Sequence, residues 1–228
     1  MPDRAPVGHE TADTMLRVRY DTVLFDLDGT LIDSGAAILA SFHHATETVL
    51  GRRYADDVVM ANVGGHGIHR QMAEFDSGRV DDLVQAYRAH NVDLYRQVRL
   101  FPGIDAVLER LRDEGRRLGI VTVKSRATVK LTFELLPLGS YFETVVTGDD
   151  VEQHKPDPAG IVLALEQLGG EPPAAAYVGD SPFDVQAAKA AGVGAIAVAW
   201  GGIHGRGRLE PETPDALVER PRELLGAL

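Results

Sequence analysis

The sequence contains no cysteine, which excludes disulfides, a thiolate nucleophile and cysteine-ligated zinc. Any bound metal must therefore be held by oxygen or imidazole donors. Positive charge is also scarce: 23 Lys and Arg face 34 Asp and Glu among 228 residues, a formal net charge of −11. Such a surface repels polyanions, so neither nucleic acid nor an anionic membrane is an expected partner. A phosphate-bearing ligand would have to find local positive charge. Residues 1–20 have no continuous apolar segment and are expected to form a loose tail, not a signal peptide or a membrane anchor. Met15, just ahead of the first apolar run, is a candidate natural start, which intact mass of the natively expressed protein decides. Internal repeats and low-complexity runs are missing too. What is left is an ordinary globular composition, expected in the cytoplasm as a monomer or homodimer, and long enough for one large domain or a core with an insertion.

From Tyr20 onward, short apolar runs alternate with longer amphipathic stretches, the pattern of a doubly wound, mostly parallel α/β sheet. Strands are expected at Thr22 to Phe25, Leu118 to Val123, Thr144 to Thr147, Ala175 to Val178 and Ala195 to Ala199. Their Val, Ile and Ala content suits burial on both faces. Helices are expected at Ile104 to Glu114, Ala127 to Leu135, Ala159 to Leu168 and Phe183 to Ala191, the last closed by Gly192. The interval 34–97 breaks the alternation with helical patterns alone and reads as an inserted helical domain; 21–33 and 98–228 form the core. Ser34 is the expected N-cap of a helix stopped by Gly51, and a second helix is expected from Val80 to Arg96. Asp33-Ser34-Gly35 and Phe101-Pro102-Gly103 are the expected hinges.

Four short stretches carry the chemistry: Asp26-Leu27-Asp28-Gly29-Thr30, Thr122, Lys155-Pro156, and Gly179-Asp180-Ser181-Pro182-Phe183-Asp184. The first follows the apolar run Val23-Leu24-Phe25, which places its carboxylates where a buried strand ends and where open α/β sheets bind ligands. Gly29 and Thr30 signal a turn that lets both carboxylates converge on one bound group. Thr122 ends a second apolar strand; alone it is an ordinary turn residue. Pro156 and Pro158 stiffen the backbone around Lys155, whose ammonium would balance clustered acids, while His154 reads as a surface residue. Asp180 and Asp184 flank a helix start, where acidic caps are common. Facing Asp26 and Asp28, they would instead form a hard oxygen cage suited to Mg²⁺. The four stretches together read as a magnesium-dependent phosphoryl-transfer site.

The run from Phe25 to Ser34 resembles the first signature of the haloacid dehalogenase superfamily of phosphatases, and the similarity extends over nearly all of the chain after Tyr20. The resemblance implies that Asp26 is the nucleophile, forming an aspartyl-phosphate, and that Asp28 is the general acid and base, with its backbone carbonyl on the metal. It implies that Thr122 bonds the transferring phosphoryl group, Lys155 stabilises that group and Asp26, Asp180 ligates Mg²⁺, and Asp184 ligates or orients. Val123 and Lys124 would add a backbone donor and positive charge, though Lys124 reads equally as a solvated surface residue. Retention of Asp28 argues against a dehalogenase. The stretches around Asp149 to Asp150, His154 to Pro158 and Val198 to Gly201 look most like the phosphoglycolate phosphatase and bacterial pyrophosphatase branch, implying a small phosphorylated metabolite as substrate.

In that family a helical insertion is a mobile cap, which implies that the cap chooses the substrate. Its conspicuous feature is Val63-Gly64-Gly65-His66-Gly67-Ile68-His69-Arg70. This loop either brings backbone N–H groups, His66 and Arg70 to an anionic leaving group, or simply connects two helices. Trp200 reads as a core residue or loop anchor, and adjacent His43 and His44 do not face one target. Two rivals stay open: a sugar phosphomutase on the same scaffold, and a noncatalytic binding or regulatory protein.

Overall fold

The computed structural model describes residues 19–228; the expected tail, Met15 included, lies almost wholly outside them. The described residues form eight strands: β1 (Thr22–Phe25), β2 (Ile32–Asp33), β3 (Arg99–Leu100), β4 (Arg117–Val121), β5 (Thr144–Val146), β6 (Ala175–Gly179), β7 (Gly194–Val198) and β8 (Ala216–Val218). Six of them form one sheet in the order β5-β4-β1-β6-β7-β8, with every pairing parallel. The chain leaves β1 toward β4 and β5, then returns to the other side of β1 for β6. The loops after β1, β4 and β6 therefore share one edge of the sheet, where such a reversal opens a crevice.

Alternation along each strand divides the core in two. Val23 and Phe25 join Leu118, Ile120 and Val178 on one face, whereas Leu24 joins Val121, Tyr177 and Ala197 on the other. That two-sided burial explains strands that are apolar at successive positions. The first face is covered by α5 (Ile104–Asp113), through Ile104, Val107, Leu108 and Leu111. The second is covered by α7 (Ala159–Leu168) and α8 (Pro182–Ala191), while α6 (Arg126–Leu135) sends Val129 to the first.

Between β2 and β3 lie α1 (Gly35–Leu50), α2 (Asp56–Met60), α3 (Ile68–Ala73) and α4 (Val80–Tyr95). They enclose a third core of Ile38, Phe42, Val59, Met72 and Leu83. Helix α1 stops at Gly51, whose φ of 65° is the left-handed conformation that glycine adopts without strain. Two features escape the periodicity of the sequence. The two-residue strands β2 and β3 pair antiparallel, Ile32 with Leu100 and Asp33 with Arg99, and so tie together the entrance and exit of the helical layer. Strand β8 adds a sixth parallel edge near the C-terminal end of the sequence.

Candidate active site

Asp26 and Asp28 follow β1, Thr122 follows β4, and Asp180 follows β6, so three neighbouring parallel strands deliver them to one edge. Asp26, Asp180 and Asp184 are buried, with one carboxylate oxygen of each within 4.8 Å of the others. Glycine makes this approach possible: at Gly29, whose φ is 75°, a Cβ atom would stand 2.0 Å from Asp180 Oδ2. Lys155, only 4% exposed, balances the acids, with Nζ 3.0 Å from Asp26 Oδ1 and 2.6 Å from Asp184 Oδ1. The contact to Asp26 lacks the directionality of a hydrogen bond, so Asp26 Oδ1 and Asp180 Oδ2 are both buried without a hydrogen-bond partner among the described residues.

These orphaned oxygens dominate the electrostatics. Burial, opposed by Lys155 and aided by Asp184 and Asp28, raises the Asp26 pKa to about 7. Burial and the neighbouring Asp184 and Asp26 push Asp180 well above the usual carboxylate range. For Lys155, burial favours the neutral amine, but Asp184 and Asp26 together outweigh it and raise the pKa. Three buried carboxylates facing a single ammonium leave excess negative charge that a hard divalent cation would satisfy, and the residues present fit Mg²⁺.

Asp184 sits in a different environment. Its Oδ2 accepts from Ser181 N at 2.9 Å and Ser181 Oγ at 2.6 Å, while Ser181 Oγ in turn accepts from Asp184 N, a capping box that starts α8. Its Oδ1 holds Lys155. With both oxygens engaged by protein donors, Asp184 is placed to orient Lys155.

Asp28 lies apart from the three clustered acids. Its Oδ1 accepts from Tyr95 Oη at 2.7 Å and from Ser34 Oγ, and its Oδ2 lies 3.2 Å from Lys124 Nζ. The side chain of Asp28 is therefore outside the carboxylate cluster, which leaves its backbone carbonyl as the group for the expected metal role. Ser34 does occupy the N-cap position of α1 but makes no side-chain cap bond, because its hydroxyl is spent on Asp28. Lys124 is also not a solvated surface residue: its side chain is 11% exposed and lies over the Tyr95 ring. Thr122, Val123 and Lys124 line the cavity above Asp26 and Asp28, and Thr122 Oγ1 accepts from Lys124 N at 3.3 Å.

His66 and Arg70 are elsewhere. Both line a second cavity with His154 and Pro156 and are absent from the lining of the one that contains Asp26. The loop that carries them is seated on the core. His154 accepts from Gly67 N at Nδ1, 3.1 Å, and its Nε2 lies 2.9 Å from Gly148 O, so it is a half-buried bridge and not a surface residue. His204 Nε2 likewise meets Val63 O at 2.8 Å. Gly67 has φ −61°, which any residue adopts, yet a Cβ there would stand 2.7 Å from the His154 ring. Gly67→Ala is therefore expected to cost about 1–3 kcal/mol by overpacking and to expose residues 63–67 to proteolysis; urea unfolding and limited digestion check both.

Tyr95, Ser34 and Tyr177 are the functional neighbours that sequence reading missed. Tyr177 Oη donates to Val121 O at 2.8 Å and stands 3.2 Å from Lys155 Nζ. As an alternating strand residue it carries no signal beyond core packing. Trp200 is a loop anchor as expected, with Nε1 donating to Thr30 O at 3.0 Å.

A family profile, haloacid dehalogenase-like hydrolase, matches residues 23–198. The chain belongs to that family. It is 35% identical over 212 residues to a protein named pyrophosphatase PpaX from Bacillus cereus, covering 92% of this chain and 97% of that one. Among solved structures, a "putative phosphoglycolate phosphatase" from Lactobacillus plantarum superposes with a TM-score of 0.82 and 26% identity, covering 92% of this chain and 99% of its own. A haloacid dehalogenase-like hydrolase from Streptococcus pneumoniae gives 0.80 and 26%, over 92% and 98% of the two chains. The family hydrolase therefore has its motif residues gathered at one sheet edge.

Proposed function

We propose that the protein is a Mg²⁺-dependent phosphatase that works through an aspartyl-phosphate at Asp26. The observation that carries this reading is the Asp26 carboxylate, a lining residue of the cavity whose buried Oδ1 lies 3.0 Å from the Lys155 ammonium. The names of its relatives support the same reaction class, hydrolysis at phosphorus.

In the first half-reaction an Asp26 carboxylate oxygen forms a bond to phosphorus as the bond from phosphorus to the leaving oxygen breaks. Asp28 protonates that oxygen. In the second, Asp28 takes a proton from water, the water oxygen bonds to phosphorus, and the bond to Asp26 breaks, releasing phosphate and restoring the carboxylate. Lys155 and the Thr122 hydroxyl meet the phosphoryl oxygens, and Asp184 holds Lys155 in place. Mg²⁺, held by Asp26, Asp180 and the Asp28 carbonyl, would supply positive charge to a phosphoryl dianion approaching a carboxylate. The four helices between β2 and β3 act as the cap that keeps bulk water from this step.

An aryl phosphate assay with and without Mg²⁺ tests the reading: metal-dependent release of phosphate is expected, and no release in either condition contradicts it. Raised carboxylate pKa values add a pH dependence. Because the Asp26 pKa is raised in the folded state, its contribution to stability is present below about pH 4 and lost as pH rises through about 7. In EDTA the melting temperature should therefore fall between pH 5 and pH 8. Mg²⁺ competes with the protons on these acids, so its affinity should rise over the same interval with proton release, at least about fivefold by calorimetry. An affinity independent of pH would remove these carboxylates from the ligand set.

A further inference from the structure

The cavity above Asp26 and Asp28 has a volume of about 510 Å³, within the roughly 300–1,000 Å³ of pockets that enclose whole organic ligands. Much of its wall is apolar: Ile38, Phe42, Val63 and Ile68 come from the helical layer, and Leu131 from α6. Polar groups are set into that wall. Gln71 and Asn91, 7% and 6% exposed, each give one N–H to the protein, Gln71 to His66 O and Asn91 to Ser41 Oγ at 3.1 Å. Ser41 Oγ itself donates to Ala37 O, so the Asn91 amide is fixed with its carbonyl oxygen free, as is that of Gln71. Both oxygens, the second N–H of each amide and Tyr87 Oη have no hydrogen-bond partner among the described residues.

The buried cation of this cavity is already used. Lys124 pairs with Asp28 at 3.2 Å. Among the described lining residues Arg88 is the remaining cation, exposed at the rim, while His66 and Arg70 line a different cavity. A leaving group with its own phosphate or carboxylate would be desolvated against Phe42 and Ile68 with no buried cation left to pair it, beside two neutral amides. Hydroxyl groups, which both donate and accept, match amides that offer an oxygen and an N–H, and a carbon framework would gain from the apolar wall.

We propose that the substrate is the phosphate monoester of a neutral, ring-bearing alcohol with further hydroxyl groups, in preference to pyrophosphate or phosphoglycolate. This assignment rests on the phosphatase reading above. It is tested with the full chain and Mg²⁺ by comparing kcat/KM for glucose 6-phosphate, 1-naphthyl phosphate, pyrophosphate and phosphoglycolate. Glucose 6-phosphate should exceed both small anions tenfold or more, while 1-naphthyl phosphate, which has no further hydroxyl, reports the phosphatase alone. Pyrophosphate or phosphoglycolate equalling glucose 6-phosphate overturns the substrate class while leaving the phosphatase intact. Phosphate release from none of the four removes both readings. Val92 lines the same cavity and is 47% exposed, so Val92→Arg can add a cation without burying it. The variant should raise the kcat/KM ratio of phosphoglycolate to glucose 6-phosphate at least fivefold; an unchanged ratio contradicts the argument from charge.

Discussion

Asp26→Asn is expected to lower kcat by at least about 10⁴-fold, some 5 kcal/mol of lost transition-state stabilisation, without unfolding the protein. The amide cannot form the acyl-phosphate bond. Stability should move the other way, because Asp26 is 2% exposed and packs beside two other buried acids. Removing one negative charge from such a cluster relieves repulsion, so the melting temperature in EDTA at pH 8 should be equal to or above that of the parent. A dead variant of undiminished stability separates a chemical role from a structural one. Retained turnover would contradict the nucleophile assignment, and a large loss of stability would mean that the ion pair with Lys155 outweighs the repulsion.

Lys155→Met should fail in the opposite manner. The ammonium is enclosed by Asp26 Oδ1, Asp184 Oδ1 and Tyr177 Oη at 3.0, 2.6 and 3.2 Å. Methionine fills a similar volume but leaves the carboxylates buried without their cation, an imbalance that typically costs about 3–5 kcal/mol. Urea unfolding at pH 8 should show that loss, and it should shrink at pH 5, where the acids can take up protons. Phosphate release should fall by at least about 100-fold under either condition, because the transferring group loses a fixed positive charge. A loss of stability that does not depend on pH would point to packing alone.

The two variants also mark where sequence reading succeeds. The strands were legible because each is buried on both faces, so apolar runs such as Val23-Leu24-Phe25 identify themselves, and the acids that follow them must meet at one edge. Helix ends at Gly51 and Gly192 were legible because a left-handed residue is needed there. The ribbon of β2 with β3 was not, since two residues per strand leave no period to detect. Contacts between the helical layer and the core were hidden for a similar reason. Tyr95 closes a helix whose periodicity reports only burial, and nothing local announces that its hydroxyl reaches Asp28, 67 positions away in sequence. His66 and Arg70 drew attention as cations in a glycine-rich loop. That loop is glycine-rich because it lies against Ser181, Phe183 and His154, leaving no room for side chains at positions 64, 65 and 67.

Rapid acid quenching of Asp28→Asn mixed with an aryl phosphate and Mg²⁺ tests the chemistry most directly. An aryl leaving group needs little help from a general acid, whereas breakdown of the acyl phosphate needs the base that this variant lacks. The account predicts that peptide mass spectrometry finds close to one phosphoryl group per chain, carried by Asp26. Phosphorylation of a different residue, or continued phosphate release while Asp26 is never modified, would contradict it.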